Sequence, residues 1–522
     1  MKRNPAEPPG RITAEDPAVP AIDGKTRALI IAATLLALFL GAMDALVMSA
    51  AMPTIVAELG GLHLYSWVYS AYLLARAVSL PLFGKLADIY KSKTLIVISI
   101  GIFIAASIGA GLARSMAMLI FFRTIQGIGA GGNFALVYII LSDISTPETR
   151  GKTLSMGSFI WGLASVLGPS LGGFIVSYFS WRWIFFINLP LGCFSLIGIA
   201  AYLKEIRPKK GQVVIDFLGA AFLTATILAL LTAFLLGGRT YAWTSVPIAG
   251  LLLAFIAAGV AFYFTETRAP SPILSMDFFK IRGFSVGNAA VFLSSFVIFS
   301  LFAFAPLFIQ AALAKSPMAV GVAMLSLSLG WSLGALAIGQ TINRIGKRPA
   351  AVAGAFGLIA GAVGTLFFTT STGMATCFVI FFITGAGMGF VTLSTLMVVQ
   401  NSLPKTDLGV ATSTHQFART LGGTIGVGVS GSLMTWGLSN ALARAADAAG
   451  GPQIPAAIFQ TITQNLDSLL RPGLQARLEP EIRLALQEAV SRGSDMVFWC
   501  AVLAAFACLF CCLLLPREVK QE

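Results

Sequence analysis

The amino-acid sequence predicts an all-α polytopic membrane protein of fourteen transmembrane helices, arranged as two six-helix bundles with two extra central helices between them. Three observations lead there. Of 522 residues, 57% are hydrophobic and only 11% charged, whereas a soluble domain carries about 25% charged residues. Apolar runs of roughly 20 residues, the length that crosses a bilayer as a helix, recur along almost the whole chain. A loop pattern also appears twice, once in each half. Too few polar residues are present to coat such runs as the buried core of a soluble protein.

The spans fall at about 28–56, 64–87, 94–113, 116–141, 153–178, 183–203, 214–236, 244–265, 284–313, 317–341, 350–369, 373–400, 408–437 and 495–515. Before them, residues 1–26 have no apolar core and no cleavage site, and read as a disordered cytoplasmic tail. Residues 27–204 form the first bundle, 205–282 the two inserted linker helices, 283–515 the second bundle, and 516–522 a short cytoplasmic tail. Between the last two spans, 438–494 carries helical patterns such as PAAIFQTITQNLDSLL, broken by GGPQIP and RPGL. It reads either as an external amphipathic hairpin or as a plain linker.

The net charge of +13 could suggest nucleic acid, but its placement assigns it to topology. With both ends cytoplasmic, the short external loops hold only Arg114, Arg182, Arg239 and Lys315, as the positive-inside rule requires. All six Cys lie in apolar spans without metal-ligand spacing and serve as small apolar residues. The cytoplasmic connections are short. GKT occurs at 24–26 and 151–153, but Val19 and Thr146 stand where a phosphate-binding loop needs its first Gly. Only two His exist, His63 and His415, and no nucleophile–base constellation forms around them. The chain is therefore expected to be neither an ATPase nor another enzyme, to need no cofactor and no metal, and to draw on a gradient.

GKLADIYKSK (84–93) and GQTINRIGKRP (339–349) are the recurring connections. Each places Gly at a helix end (Gly84, Gly339), a polar residue four positions on (Asp88, Asn343), then a basic turn that includes Arg344 in the second copy. Such recurrence marks a transporter built from related halves.

Four stretches carry a family resemblance: DALVMSAAMP (44–53), RTIQGIGAGG (123–132), WGLASVLGPSLGGF (161–174) and WRWIFFINLPLG (181–192). The chain resembles the fourteen-span drug:proton antiporters of the major facilitator superfamily, bacterial exporters of quaternary ammonium compounds and other drugs. The resemblance implies a major facilitator fold and a monomer in the bacterial cytoplasmic membrane that exchanges protons for small amphiphilic substrates. The first loop departs from the family pattern. Ile89, Lys91 and Ser92 replace its Arg, Gly and second Arg, which implies a weakened or rearranged charge lock between the halves.

Asp44 is a single carboxylate inside an apolar span, where a charge costs a few kcal/mol. Arg123, Gln126, Gly127 and Ala130 share one face of span 4. By family analogy Asp44 and Arg123 pair, and Asp44 exchanges a proton for substrate; the alternative is that Asp44 only helps the bundle fold. Span 13 adds Thr412, His415, Gln416 and Arg419. His415 is either protonatable, and then part of the coupling set, or a neutral hydrogen-bonded group. Arg76 either lines the cleft or snorkels to an interface. Asn288, Gln310, Trp331 and Gln400 complete the candidate substrate cavity with Arg76, Gln126, Gln416 and Arg419. Gly84, Asp88, Arg150, Gly168, Pro169, Gly172, Gly173 and Arg344 are the expected gating residues; Gly and Pro in span 5 permit close approach and a kink. One buried acid against three buried arginines favours monocationic, neutral or acidic amphiphiles over dications. Alternatives are a dedicated exporter of a metabolite, siderophore or lipid, and a membrane sensor that does not transport.

Overall fold

The computed structural model describes residues 23–60, 64–205, 216–237, 241–270, 272–315, 317–447 and 480–517. The tail before residue 23, His63, the middle of the 438–494 segment and the last five residues lie outside the described residues.

Fifteen helices make up the described chain. They are α1 (Gly24–Leu59), α2 (Tyr65–Ile89), α3 (Ser92–Gly111), α4 (Met116–Asp143), α5 (Arg150–Tyr178), α6 (Trp183–Phe186), α7 (Asn188–Tyr202), α8 (Phe217–Leu236) and α9 (Val246–Arg268). After these come α10 (Arg282–Leu307), α11 (Pro317–Ile345), α12 (Lys347–Thr365), α13 (Met374–Asn401), α14 (Leu408–Asp447) and α15 (Pro480–Leu514). Each predicted span coincides with one of these helices, the sixth with α6 and α7 together. Span 9 is α10 plus a π-turn at Phe308–Ala312, where Pro306 cannot donate its backbone N–H and the ladder loosens.

The helices form two bundles. In the first, α1 packs on α5 and α7, and α4 on α2 and α3; in the second, α10 packs on α14 and α15, and α13 on α11 and α12. Glycines set the closeness of these pairs. A Cβ at Gly330 of α11 would sit 2.2 Å from the Phe382 carbonyl oxygen, and one at Gly385 of α13 would sit 2.1 Å from that of Leu327. Only hydrogen fits at such crossings. The α8–α9 pair lies outside both bundles, with α8 against α2 and α14. Leu253, Ile256, Val260, Tyr263 and Phe264 of α9 are all exposed, as suits a helix whose outer face meets lipid tails.

Among the described residues, eleven helices or helix pairs are long and apolar enough to cross a membrane. Between the bundles, α2 packs on α14 and α5 on α11, with smaller contacts of α4 on α14 and of α5 on α13.

The chain around 438–494 differs from a separate hairpin at both described ends. Residues 438–447 continue α14, and 480–494 open α15. The two extensions pack together, with a Gly493 Cβ position 3.2 Å from Leu438 N.

Candidate functional site

Asp44 on α1 is 1% exposed and fully engaged. Arg123 Nη1 donates to its Oδ2 at 2.6 Å, while Gln126 Nε2 and Asn188 Nδ2 donate to its Oδ1 at 2.9 and 3.0 Å. Arg123 Nη1 also reaches Gln126 Oε1 at 2.7 Å, and Gln126 Nε2 reaches Ser107 Oγ at 2.8 Å. Three helices, α1, α4 and α7, thus meet at one carboxylate, and α3 joins the network through Ser107. Charge-assisted bonds of this kind are about twice as strong as neutral ones. Removing one partner of such a buried pair costs about 3–5 kcal/mol.

Sequence reasoning found Asp44, Arg123 and Gln126 but missed Asn188 and Ser107. Asn188 was in view, as the one amide in the apolar run of WRWIFFINLPLG. That motif fastens α1 twice. Its Trp181 Nε1 donates to Glu58 Oε2 at 2.7 Å, Arg182 pairs with the same carboxylate, and Asn188 holds Asp44. Outside the span, the Arg182 hydrogen bond first and the Trp181 one second hold the Glu58 carboxyl below its usual range.

Tyr72 of α2 connects this network to the middle of the molecule. Arg123 stacks on its ring at 4.1 Å. Arg76 follows one turn later on the same face. Both positions are brought close to α4 by glycines, since a Cβ at Gly127 or at Gly131 would lie 2.5 Å from the carbonyl oxygen of Tyr72 or Arg76 respectively. Arg76 does not snorkel. It is 9% exposed, with its guanidinium over Phe134 at 4.4 Å and Trp161 at 5.3 Å. Arg419, 6% exposed on α14, meets the same Phe134 ring at 4.8 Å and Trp331 at 5.7 Å, and also contacts the Tyr138 side chain. The two arginines come from opposite bundles and share one aromatic ring.

The remaining cavity candidates separate. Trp331 borders the Arg419 site, and Gln416 is buried beside it on α14 with Oε1 unpartnered. Asn288 is turned back on its own helix, donating to the Phe284 carbonyl at 2.9 Å. Gln310 sits partly buried in the π-turn. His415 is fully buried against α13, its Nε2 3.0 Å from Thr395 Oγ1, inside the second bundle and apart from Asp44. The structure places Gln400 between the halves at the loop end. Its Oε1 accepts from Arg150 Nη2 at 2.8 Å and from Ser142 Oγ at 3.2 Å, and its Nε2 donates to Thr412 Oγ1 at 2.9 Å.

At that end the predicted gating residues meet. Asp88 accepts from the backbone N–H of Gly409 at 2.7 Å and of Val410 at 2.9 Å, the first turn of α14, where an anion is favoured. This contact uses none of the replaced positions 89, 91 and 92. Gly84 allows α2 to cross α14, since a Cβ there would lie 1.9 Å from Ser413 Oγ. Arg150 bridges to Asn401 Oδ1 at 3.1 Å as well as to Gln400. Arg344 is exposed at the end of α11. In the fifth span, α5 remains helical through Gly168, Pro169, Gly172 and Gly173. Gly168 fits against Leu46 of α1, within the same bundle, and Gly173 faces open space. The mid-depth contact of α5 with the other half is made at Ser158, whose carbonyl accepts from Ser332 Oγ at 3.0 Å.

A fold of two related bundles around paired buried charges is that of a membrane transporter. The family profile for the Major Facilitator Superfamily matches residues 34–427, and the chain belongs to that superfamily. It is 37% identical over 410 residues to the multidrug transporter protein MdtP of Bacillus subtilis, covering 78% of this chain and 75% of that one. Against multidrug resistance protein 3 of the same organism the identity is 32% over 488 residues, 92% of this chain and 94% of the relative. Among solved structures, the human organic anion transporter MFSD10 superposes with a TM-score of 0.62 at 15% identity, covering 94% of this chain and 99% of that one. The proton:xylose symporter XylE superposes at 0.57 and 14%, covering 92% and 95%. These last two likenesses concern the fold alone.

Proposed function

We propose that this protein is a proton-coupled antiporter that exports small amphiphilic compounds across the bacterial cytoplasmic membrane by alternating access, as a monomer with both termini cytoplasmic. The names of the relatives, a multidrug transporter and a multidrug resistance protein, support export of drug-like compounds. The observation that carries the coupling is the Asp44 network. One carboxylate, buried in an apolar setting, receives hydrogen bonds from Arg123, Gln126 and Asn188. Adding a proton there removes the acceptor charge on which three helices converge. The packing of α1 against α4 and α7 is then free to settle differently. In this structure the end bearing the 84–93 and 339–349 connections is shut, and protonation biases which end opens.

The test is proton movement in proteoliposomes carrying a lumenal pH dye, with cationic, neutral and acidic amphiphiles added in turn. Wild type should move protons when a substrate is added, and Asp44→Asn should lose at least about 100-fold of that flux while retaining its chromatographic profile. Substrate-driven flux that persists in Asp44→Asn would sink the assignment and move attention to His415.

A further inference from the structure

We propose that Arg76 and Arg419 form a binding site for the acidic headgroup of an amphiphile, a carboxylate or sulfonate, at the junction of the two bundles. The proposal rests on reading the space between the bundles as the substrate path, and not on proton coupling.

The two arginines differ from Arg123 in what they lack. Arg123 has a carboxylate at 2.6 Å. Neither Arg76 nor Arg419 forms an ion pair among the described residues. Arg76 lies over two aromatic faces, and its buried Nε has no hydrogen-bond partner among the described residues. Arg419 has two aromatic faces and the Tyr138 side chain. The Asp44 carboxylate is already held by three other donors.

A guanidinium presents five N–H donors and no acceptor, and at Arg76 the buried Nε is a donor left without a partner among the described residues. Cation–π contacts stabilise the charge without supplying an acceptor. Here two buried guanidinium groups come together. The Cζ atoms of Arg76 and Arg419 lie 4.4 and 4.8 Å from the Phe134 centroid, which places them no more than about 9 Å apart. The indole N–H groups of Trp161 and Trp331, the tryptophans against Arg76 and Arg419 respectively, are also buried without partners. Gln416, one turn before Arg419, adds an amide that can present either end. On its first-bundle side, Arg76 borders a small cavity walled by Gly41 of α1, Ala130, Asn133 and Phe134 of α4 and Trp161 of α5.

Two like charges brought together from opposite bundles, walled by aromatic rings and supplied with spare N–H groups, form the complement of an anion with an apolar body. Arg is suited to the task because its planar fork matches carboxylate and sulfonate oxygens. A cationic headgroup would meet repulsion from both sides. The acid is a bridge as well as a ligand, since one headgroup in contact with both guanidinium groups would tie α2 of the first bundle to α14 of the second.

Equilibrium binding to the full-length protein in zwitterionic lipid nanodiscs tests this, with dansylaminoundecanoic acid and its methyl ester as matched probes and dodecanesulfonate as competitor. The acid should bind at least about tenfold more tightly than the ester, the lower range for a hydrogen bond to a charged group, and dodecanesulfonate should displace it. Arg76→Gln and Arg419→Gln should each remove most of that preference while moving the ester less than about twofold; Arg76→Lys should keep part of it. Should the arginine variants fail to fold, Trp161→Phe keeps the ring, removes the N–H, and should weaken the acid alone by a few-fold. Equal binding of acid and ester to wild type, no saturable acid binding, or acid binding indifferent to these substitutions overturns the proposal. Because binding is read without a proton gradient, failure here leaves the Asp44 flux result standing, and loss of the Asp44 effect leaves this site standing.

Discussion

The halves cross twice at the shut end, and the two crossings can be compared atom for atom. At the first, Gly84 and Asp88 of α2 face Gly409 and Ser413 of α14. At the second, Gly339 and Asn343 of α11 face Gly151 and Ser155 of α5. In both, a glycine four residues before a polar side chain meets a glycine four residues before a serine. A Cβ at Gly84 would lie 1.9 Å from Ser413 Oγ and 2.7 Å from the Gly409 carbonyl oxygen, and one at Gly339 would lie 2.5 Å from Ser155 Oγ and 2.7 Å from the Gly151 carbonyl oxygen. The difference is in the polar residue. Asp88 accepts from two N–H groups in the first turn of α14; Asn343 Nδ2 donates to the Glu148 carbonyl at 2.7 Å, just before α5. Each crossing carries the side chain that its partner's backbone requires, an acceptor against donors and a donor against an acceptor. The two copies share a shape and are inverted in hydrogen-bond sense.

The largest effect should come from filling the tighter crossing. Gly84→Val puts atoms where the Ser413 Cβ and a backbone carbonyl already stand, and overpacking of that kind costs about 1–3 kcal/mol. Hydrogen exchange at the Gly409–Val410 amides, read by mass spectrometry in nanodiscs, should accelerate at least about tenfold. Gly339→Val should open its own crossing less, because the nearest atom there is farther away. Equal acceleration by the two substitutions would break the ranking of the crossings by tightness.

Asp88→Asn comes next. One amide oxygen can still accept, but the amide nitrogen then faces an N–H. The loss of a charge-assisted bond at a helix N-terminus is about 1–2 kcal/mol, so the same amides should exchange several-fold to about thirtyfold faster. Unchanged exchange would mean that the glycine crossing, and not the carboxylate, holds this end shut.

How far the sequence anticipates these sites follows from what a linear pattern can carry. A carboxylate and a guanidinium inside apolar spans announce themselves, and the spacing of Arg123 and Gln126 puts both on one helical face. Asn188 and Ser107 are neutral residues on other helices, and only the assembled bundle turns them toward Asp44. The recurrence of Gly84–Asp88 as Gly339–Asn343 is visible in the letters, but the hydrogen-bond sense of each crossing depends on what the opposite helix end offers. Gln400 reads as a cavity residue because it lies near the end of an apolar run; its position at the loop end of α13 brings it to Arg150 instead. The span in α14 ends for hydropathy near residue 437, yet the helix continues to Asp447, since the Ala-rich stretch SNALARAAD favours helix with or without lipid. Shared use of Phe134 by Arg76 and Arg419 has no sequence signature, because the three residues come from three helices in two bundles.

Asn343→Asp is the smallest change and the most direct test of the inversion. If the second crossing is a donor site, a carboxylate at this position loses the bond to the Glu148 carbonyl and adds a repulsion that solvent screens, since Asn343 is exposed. Exchange at Gly151 and Lys152 should then rise about twofold to threefold, in keeping with one neutral hydrogen bond of about 0.5 kcal/mol. If instead the two crossings are equivalent and the side chain alone sets the sense, the introduced carboxylate would find the N–H groups opening α5 as Asp88 finds those of α14, and exchange there would slow. A slower rate would therefore show that α5 offers the same donors as α14 and that Asn343 masks them. A faster rate would place the inversion in the backbone preceding α5, where Thr149 N and Arg150 N are already bonded to the Thr146 carbonyl at 3.1 and 2.9 Å.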